Sequence, residues 1–179
     1  MQVYSSISFS VIITNALLAA ARISDLDGEL CRQREIEQYL SAHNDVRIKY
    51  DVPPLRWSEA LARMADTWAD NCQFKHSNGS LNGEPYGENI VAATGPFPIV
   101  TALQLFSSDA VDYNPLSPTY NHFTQVVWKS TRNLGCSYSE CDGIFDQDRG
   151  PAIMYVCVYE PPGNIVGQAT DNVPEVSCD

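Results

Sequence analysis

The sequence predicts a three-layer α/β/α sandwich around a mainly antiparallel central sheet. Apolar residues in the first half recur at helical spacing, and later in the chain the period shortens to two. One late segment, "IMYVCVYE", is apolar on both faces, as a central strand covered by helices on each side must be. Helices early and strands late point to this layered arrangement.

From Cys31 to Tyr50, residues Ile36, Tyr39, Leu40, His43 and Val46 share one helical face, with Arg32, Arg34, Glu35 and Glu37 on the others. The prolines of "DVPPLRW" end that helix. Ser58 is placed to cap a second helix, along which Trp57, Leu61, Met64, Ala65, Trp68 and Cys72 form one stripe. "KHSNGSLNGEPYGEN" is dense in Gly, Asn, Ser and Pro and reads as loop. A third helix is expected from about Pro98, with Val100, Leu103, Phe106, Ala110 and Tyr113 inward and Asp109 in its last turns. It ends before "NPLSP". In "HFTQVVW", Phe123, Gln125 and Val127 face one way and Thr124, Val126 and Trp128 the other, which predicts a strand opened by His122. The tail "GQATDNVPEVSCD" has no aromatic residue and is expected to fray unless Cys178 is tied down.

Met1 to Ala21 carries no charged side chain and holds the apolar run "FSVIITNALLAAA", closing on small residues. That is the layout of a secretory signal peptide, although its amino end lacks the usual positive charge. A membrane anchor is the rival reading, but the run is short, interrupted by Thr14 and Asn15, and followed by no stop-transfer pattern. The expected division is a leader over 1–21, an extension over 22–35, one domain over 36–168 and a tail over 169–179. The net charge of −11 weighs against nucleic acid and anionic membranes as partners, and no later segment reads as a membrane span.

Six cysteines, Cys31, Cys72, Cys136, Cys141, Cys157 and Cys178, all follow the expected leader. In an exported chain they oxidise, most simply to three disulfides, with about fifteen connectivities open. A zinc-thiolate site is the alternative, but the sequence contains no Cys-x-x-Cys pair.

With three histidines in the chain, any histidine-dependent site must draw on them. His43 sits among helix residues and reads as structural, packed between helix and sheet. His76 stands in the polar loop and His122 at the start of the expected strand, and core packing accounts for neither. Glu88, in "YGENI", begins a short apolar run. There is no His-Glu-x-x-His, no Gly-x-Ser-x-Gly and no phosphate-binding glycine loop, so any active constellation is assembled from distant segments. Asn78-Gly79-Ser80 is an N-glycosylation sequon.

Four segments, "QYLSAHNDVR", "FKHSNG…YGENI", "NHFTQVVWKSTRNLGC" and "YVCVYEPPGN", together resemble the signature stretches of the CAP superfamily of cysteine-rich secretory proteins, antigen 5 and pathogenesis-related class 1 proteins. The likeness runs from about Gln38 to Gly167. It implies the same sandwich fold and a cleft of two histidines and two acidic residues, which map onto His76, Glu88, Asp109 and His122. The third of these is usually Glu after a Trp. Here "LFSSDAV" supplies Phe106 and the shorter Asp109. Such a set makes a plausible Zn²⁺ site with an open position for water. The resemblance also implies disulfides Cys72 with Cys141 and Cys136 with Cys157, leaving Cys31 and Cys178 for each other.

What the resemblance implies for function divides three ways. Yeast-type members bind sterols through a loop with an aromatic pattern, whose places Tyr113, Pro115, Tyr120 and Phe123 fill, so a sterol or fatty-acid-like ligand is the first expectation for a secreted monomer. The second is a metal-dependent hydrolase using water activated by zinc or by Glu88, though no nucleophile motif accompanies it. The third is a secreted defence or effector protein releasing a carboxy-terminal peptide from "CVYEPPGNIVG", where Val158 replaces the usual Asn.

Overall fold

The computed structural model describes the backbone of residues 7–174 and the side chains of residues 25–174. The leader expected over 1–21 falls outside the described side chains, and Cys178 outside the described residues altogether. The chain divides into two compact units, residues 1–35 and residues 36–179. Helix α1 (Ile7–Lys49) contributes to both. In the first unit Leu26, Leu30 and Cys31 are exposed. Among the described residues no helix is long and apolar enough to cross a membrane.

The second unit is a three-layer α/β/α sandwich. Its remaining α-helices and strands are β1 (Arg56–Trp57), α2 (Glu59–Asp70), β2 (Gly87–Thr94), α3 (Ile99–Ser108), α4 (His122–Val126), β3 (Asn133–Cys141), β4 (Ala152–Glu160) and α5 (Ala169–Asn172). The sheet order is β1-β3-β4-β2. Only the two-residue β1 runs parallel to its neighbour; β3 and β2 flank β4 antiparallel on either side.

Alternation along β4 explains the layering. Tyr155, Cys157 and Tyr159 face a core built by Tyr39 of α1, Ile99, Ala102, Leu103 and Phe106 of α3, and Phe123 of α4. Met154, Val156 and Val158 face the opposite core, where Leu61, Ala65, Trp68 and Ala69 of α2 cover them. Ser58 caps α2 by accepting from Leu61 N at 3.4 Å. β3 passes so close to α2 that a Cβ on Gly135 would lie 2.1 Å from Ala62 N. Disulfide Cys72–Cys141 joins the end of α2 to the end of β3, and Cys136–Cys157 links facing residues of β3 and β4. These are the two pairs the resemblance implies.

Several local expectations need correction. "HFTQVVW" is not a strand but α4 and the turn after it, because Asn121 and Thr124 form a reciprocal cap: Asn121 Oδ1 accepts from Thr124 N at 3.0 Å and Thr124 Oγ1 from Asn121 N at 2.9 Å. Every residue from Phe123 to Trp128 is buried, so its period of two separates no inner from outer face. Val100 points outward, with Ile99 and Ala102 buried instead. Gly87 to Asn89, read as loop, open strand β2. The tail as far as Val173 is docked, with Ala169 and Val173 in the core and Asn172 accepting from Lys129 N and Ser130 N.

Arg47 of α1 is fully buried at 0% exposure. Its guanidinium donates to four carbonyls, those of Pro53, Val126, Trp128 and Thr131, at 2.7–3.1 Å. Burial lowers its pKa to about 10. This cage of dipoles, in place of a counter-ion, ties α1 to the chain around α4.

Candidate functional site

Two histidine–carboxylate pairs stand at the ends of the elements just described. In the first, His76 follows the turn after α2, and Glu88 is the second residue of β2. His76 Nδ1 lies 2.7 Å from Glu88 Oε1. His76 is 59% exposed and Glu88 6%. The buried carboxylate is engaged at both oxygens: Oε1 also accepts from Ser77 N at 3.0 Å, and Oε2 from Ser77 Oγ at 2.5 Å. Ser77 Oγ in turn receives the hydroxyl proton of Tyr86, at 2.5 Å. The hydrogen bond from His76 to Glu88 raises the imidazole pKa, with burial acting against it.

In the second pair, Asp109 closes α3 and His122 opens α4. Asp109 Oδ2 accepts from His122 Nδ1 at 2.8 Å and from His122 N at 3.2 Å. One carboxylate oxygen thus orients the ring and satisfies an orphan N–H at the start of α4. The methylene missing relative to Glu does not break this contact. Phe106 stacks on the His122 ring at 5.4 Å.

A carboxylate accepts and cannot donate, so in each neutral pair Nδ1 carries the proton and Nε2 holds a lone pair. Among the described residues neither Nε2 has a hydrogen-bond partner. Each carboxylate orients an imidazole through its Nδ1, the outer-shell arrangement seen around histidine metal ligands.

The pairs are joined through β2. Asn89, next to Glu88, donates from Nδ2 to the His122 carbonyl at 3.0 Å and to Tyr159 Oη at 3.2 Å. Tyr159 donates onward to His43 Nε2 at 2.8 Å, and His43 Nδ1 donates to the Tyr39 carbonyl at 2.8 Å. Burial holds the His43 pKa down, to about 4, and pushes that of Tyr159 up. His43 therefore sits neutral in the core with both ring nitrogens engaged.

A polar hollow of about 330 Å³ opens beside the first pair, lined by His76, Glu88, Asn78, Tyr120, Gln125 and Asn164 among others. Gln125 forms its floor, wedged between two glycines: a Cβ on Gly87 would lie 2.0 Å from its Oε1, and one on Gly163 2.6 Å from its Nε2. Asn164 accepts from Thr124 Oγ1 and donates to the Asn121 carbonyl. His122 is not on the lining, though Tyr120, two residues before it, is.

The four residues His76, Glu88, Asp109 and His122 are thus brought together two and two. Among the described residues, the one group of three whose ligating atoms lie within 4.8 Å of one another is His43, Cys136 and Cys157. Its two sulfurs are bonded to each other, which removes the thiolates a metal would need. Of the four residues expected to meet a lipid, Tyr120 lines the hollow and Pro115 is exposed, Tyr113 is half-buried, and Phe123 is core at 0% exposure against Tyr50. Sequence reasoning missed Ser77, Asn89, Gln125 and Asn164. The available signal was polar residues placed inside or beside apolar runs, where only a partner permits burial.

Known proteins are similar to this chain in sequence and in fold. A family model described as "CAP: Cysteine-rich secretory protein family" matches residues 40–159. Fruiting body protein SC14 of Schizophyllum commune is 37% identical over 145 residues, 75% of this chain and 64% of that protein. Pathogenesis-related protein 1 of Arabidopsis thaliana is 34% identical over 160 residues, 85% of this chain and 92% of that one. The chain therefore spans just under two thirds of the Schizophyllum protein and nearly all of the Arabidopsis one. A solved structure described as "Crystal structure of NaASP2 with Zn2+" shares the fold with a TM-score of 0.59 at 19% identity, over 72% of this chain and 80% of that one.

Proposed function

The chain belongs to the cysteine-rich secretory protein (CAP) family, and from that premise we propose that it acts outside the cell as a binding protein whose cleft takes a divalent cation, Zn²⁺ foremost, through His76 and His122. One observation carries this reading: both imidazoles are anchored at Nδ1 by a carboxylate and present an unpartnered Nε2. Two neutral imidazoles suit zinc, with water completing the shell. The NaASP2 structure, from a protein of like fold, is described with Zn²⁺, which lends support. Export agrees with the family's description and with two disulfides, which persist in oxidising compartments.

Hydrolysis is the weaker reading. Catalytic zinc sites use three protein ligands and leave one position open; here both Glu88 oxygens and Asp109 Oδ2 already accept hydrogen bonds from the chain itself. Peptide release from "EPPGN" is also disfavoured, because Gly163 and Asn164 are bonded into the site's floor and wall.

Calorimetric titration of the metal-free chain near neutral pH tests the proposal. Zn²⁺ is expected to bind at one equivalent, with His122→Ala weakening it at least tenfold. No heat with the wild type, or an unaltered constant in the variant, would overturn it.

A second reading, binding of a sterol or other apolar lipid, is favoured by the loop before α4. Leu116 and Val111 are 95% and 88% exposed there, and Tyr120 supplies an aromatic wall. Phe123, sealed in the core, takes no part. Saturable sterol binding that Leu116→Asp abolishes would support this reading, and no saturable binding by the wild type would reject it.

A further inference from the structure

The sequon Asn78-Gly79-Ser80 stands at the rim of the hollow, with Asn78 and Gly79 on its lining. Ser77 to Ser80 form a tight turn closed by Ser80 N donating to the Ser77 carbonyl at 3.2 Å. Its central residues, Asn78 (φ 53°) and Gly79 (φ 79°), are both left-handed, a conformation that Asn tolerates and Gly favours. Asn78, Gly79 and Ser80 are exposed, and no atom lies within 4 Å of where a Cβ on Gly79 would be. The turn therefore projects into open space.

Its side chains are available for modification. Ser80 Oγ has no hydrogen-bond partner among the described residues. Asn78 Nδ2 donates one proton, to the His76 carbonyl at 3.2 Å, and an amide carries two. Asn78 and Gly79 also line the same hollow as His76 and Glu88.

We propose that Asn78 carries an N-linked glycan whose first sugars roof the hollow beside His76, admitting ions and small solutes and turning away bulky ones on that side. In the modification, a bond forms between Asn78 Nδ2 and the anomeric carbon of a lipid-pyrophosphate-linked oligosaccharide. The bond from that carbon to the pyrophosphate oxygen breaks, and one amide proton leaves with the pyrophosphate. No oxidant or reductant is involved. The amide N–H that remains keeps its bond to the His76 carbonyl, so the glycosylated nitrogen stays fixed beside that residue.

The test needs neither metal nor lipid, so failure of either functional reading leaves it intact. The full chain and its Ser80→Ala variant are secreted from a eukaryotic host and compared by intact mass and glycopeptide mapping. Both are then treated with diethyl pyrocarbonate, which acylates accessible neutral imidazoles, and the rate at each histidine is read by mass spectrometry. The wild type is expected to carry an oligosaccharide at Asn78 and the variant none. His76 is expected to react several-fold more slowly in the wild type, while His122 reacts equally in both and buried His43 in neither. Trimming the wild-type glycan to its first sugar with an endoglycosidase leaves only the innermost part of the roof and should return part of the His76 reactivity, which serves if the variant folds poorly. An unmodified Asn78 in the secreted wild type overturns the proposal, as does a His76 rate indifferent to the glycan.

Discussion

Acidification from pH 7 to pH 4 drives a proton towards His43, whose two ring nitrogens are committed to the Tyr39 carbonyl and the Tyr159 hydroxyl. In the folded chain the imidazole titrates near 4, against 6.5 when unfolded, because burial penalises its charged form. Between those values the unfolded chain binds more protons than the folded one. The stabilisation is therefore complete above pH 6.5 and lost as pH falls towards 4. Each pH unit is worth about 1.4 kcal/mol, so the whole span removes about 3 kcal/mol. At roughly 3 °C of melting temperature per kcal/mol for a domain near 150 residues, that is about 10 °C. Guanidinium unfolding of the wild type and of His43→Asn at pH 7 and pH 4 separates this from the titration of the carboxylates, which both proteins share. His43→Asn is expected to be less stable at pH 7 but to lose about 3 kcal/mol less on acidification. Equal losses in the two proteins would refute the assignment of a neutral, core-bound His43.

Three further outcomes follow from the packing and the pairs. Arg47→Met strands four carbonyls that the guanidinium now holds and should cost about 3–5 kcal/mol in urea unfolding; a loss under about 1 kcal/mol would mean that water can replace the cage. Gly135→Ala would put a Cβ 2.1 Å from Ala62 N, so α2 and β3 must separate, at a cost of about 1–3 kcal/mol or more. An unchanged melting temperature would contradict that contact. Asp109→Asn keeps the shape but removes the charge that fixes the His122 proton on Nδ1, and is expected to weaken zinc binding about 10-fold by calorimetry. An undiminished affinity would remove Asp109 from its orienting role.

The sandwich was legible because each of its determinants is local or periodic. The stripe of Leu61, Ala65 and Trp68 and the two-faced run of β4 place helix and central strand from the pattern alone. Strands β2 and β3 were not legible. Gly87, Glu88 and Asn89 carry turn chemistry in sequence, and β3 alternates Ser137 and Ser139 with Tyr138, so neither reads as core. Segment "HFTQVVW" misled for the opposite reason: complete burial makes a period of two uninformative, and the Asn-x-x-Thr cap is the decisive signal. Of the site, the resemblance supplied His76, Glu88, Asp109 and His122, while the division of labour within each pair is a matter of distance that no spacing encodes. Arg47 was hidden because its partners are carbonyls up to 84 residues away, invisible to any pattern of side chains.

The central claim is that His76 and His122 serve one cation together. The most direct measurement is a Zn²⁺ titration of the chain with isotope-labelled histidine, following the three imidazole signals by nuclear magnetic resonance. The His76 and His122 resonances are expected to move together and stop at one equivalent, with Nε2 as the shifted nitrogen and His43 unmoved. Movement of only one of the two, or saturation of each at a different equivalence, would contradict a shared site.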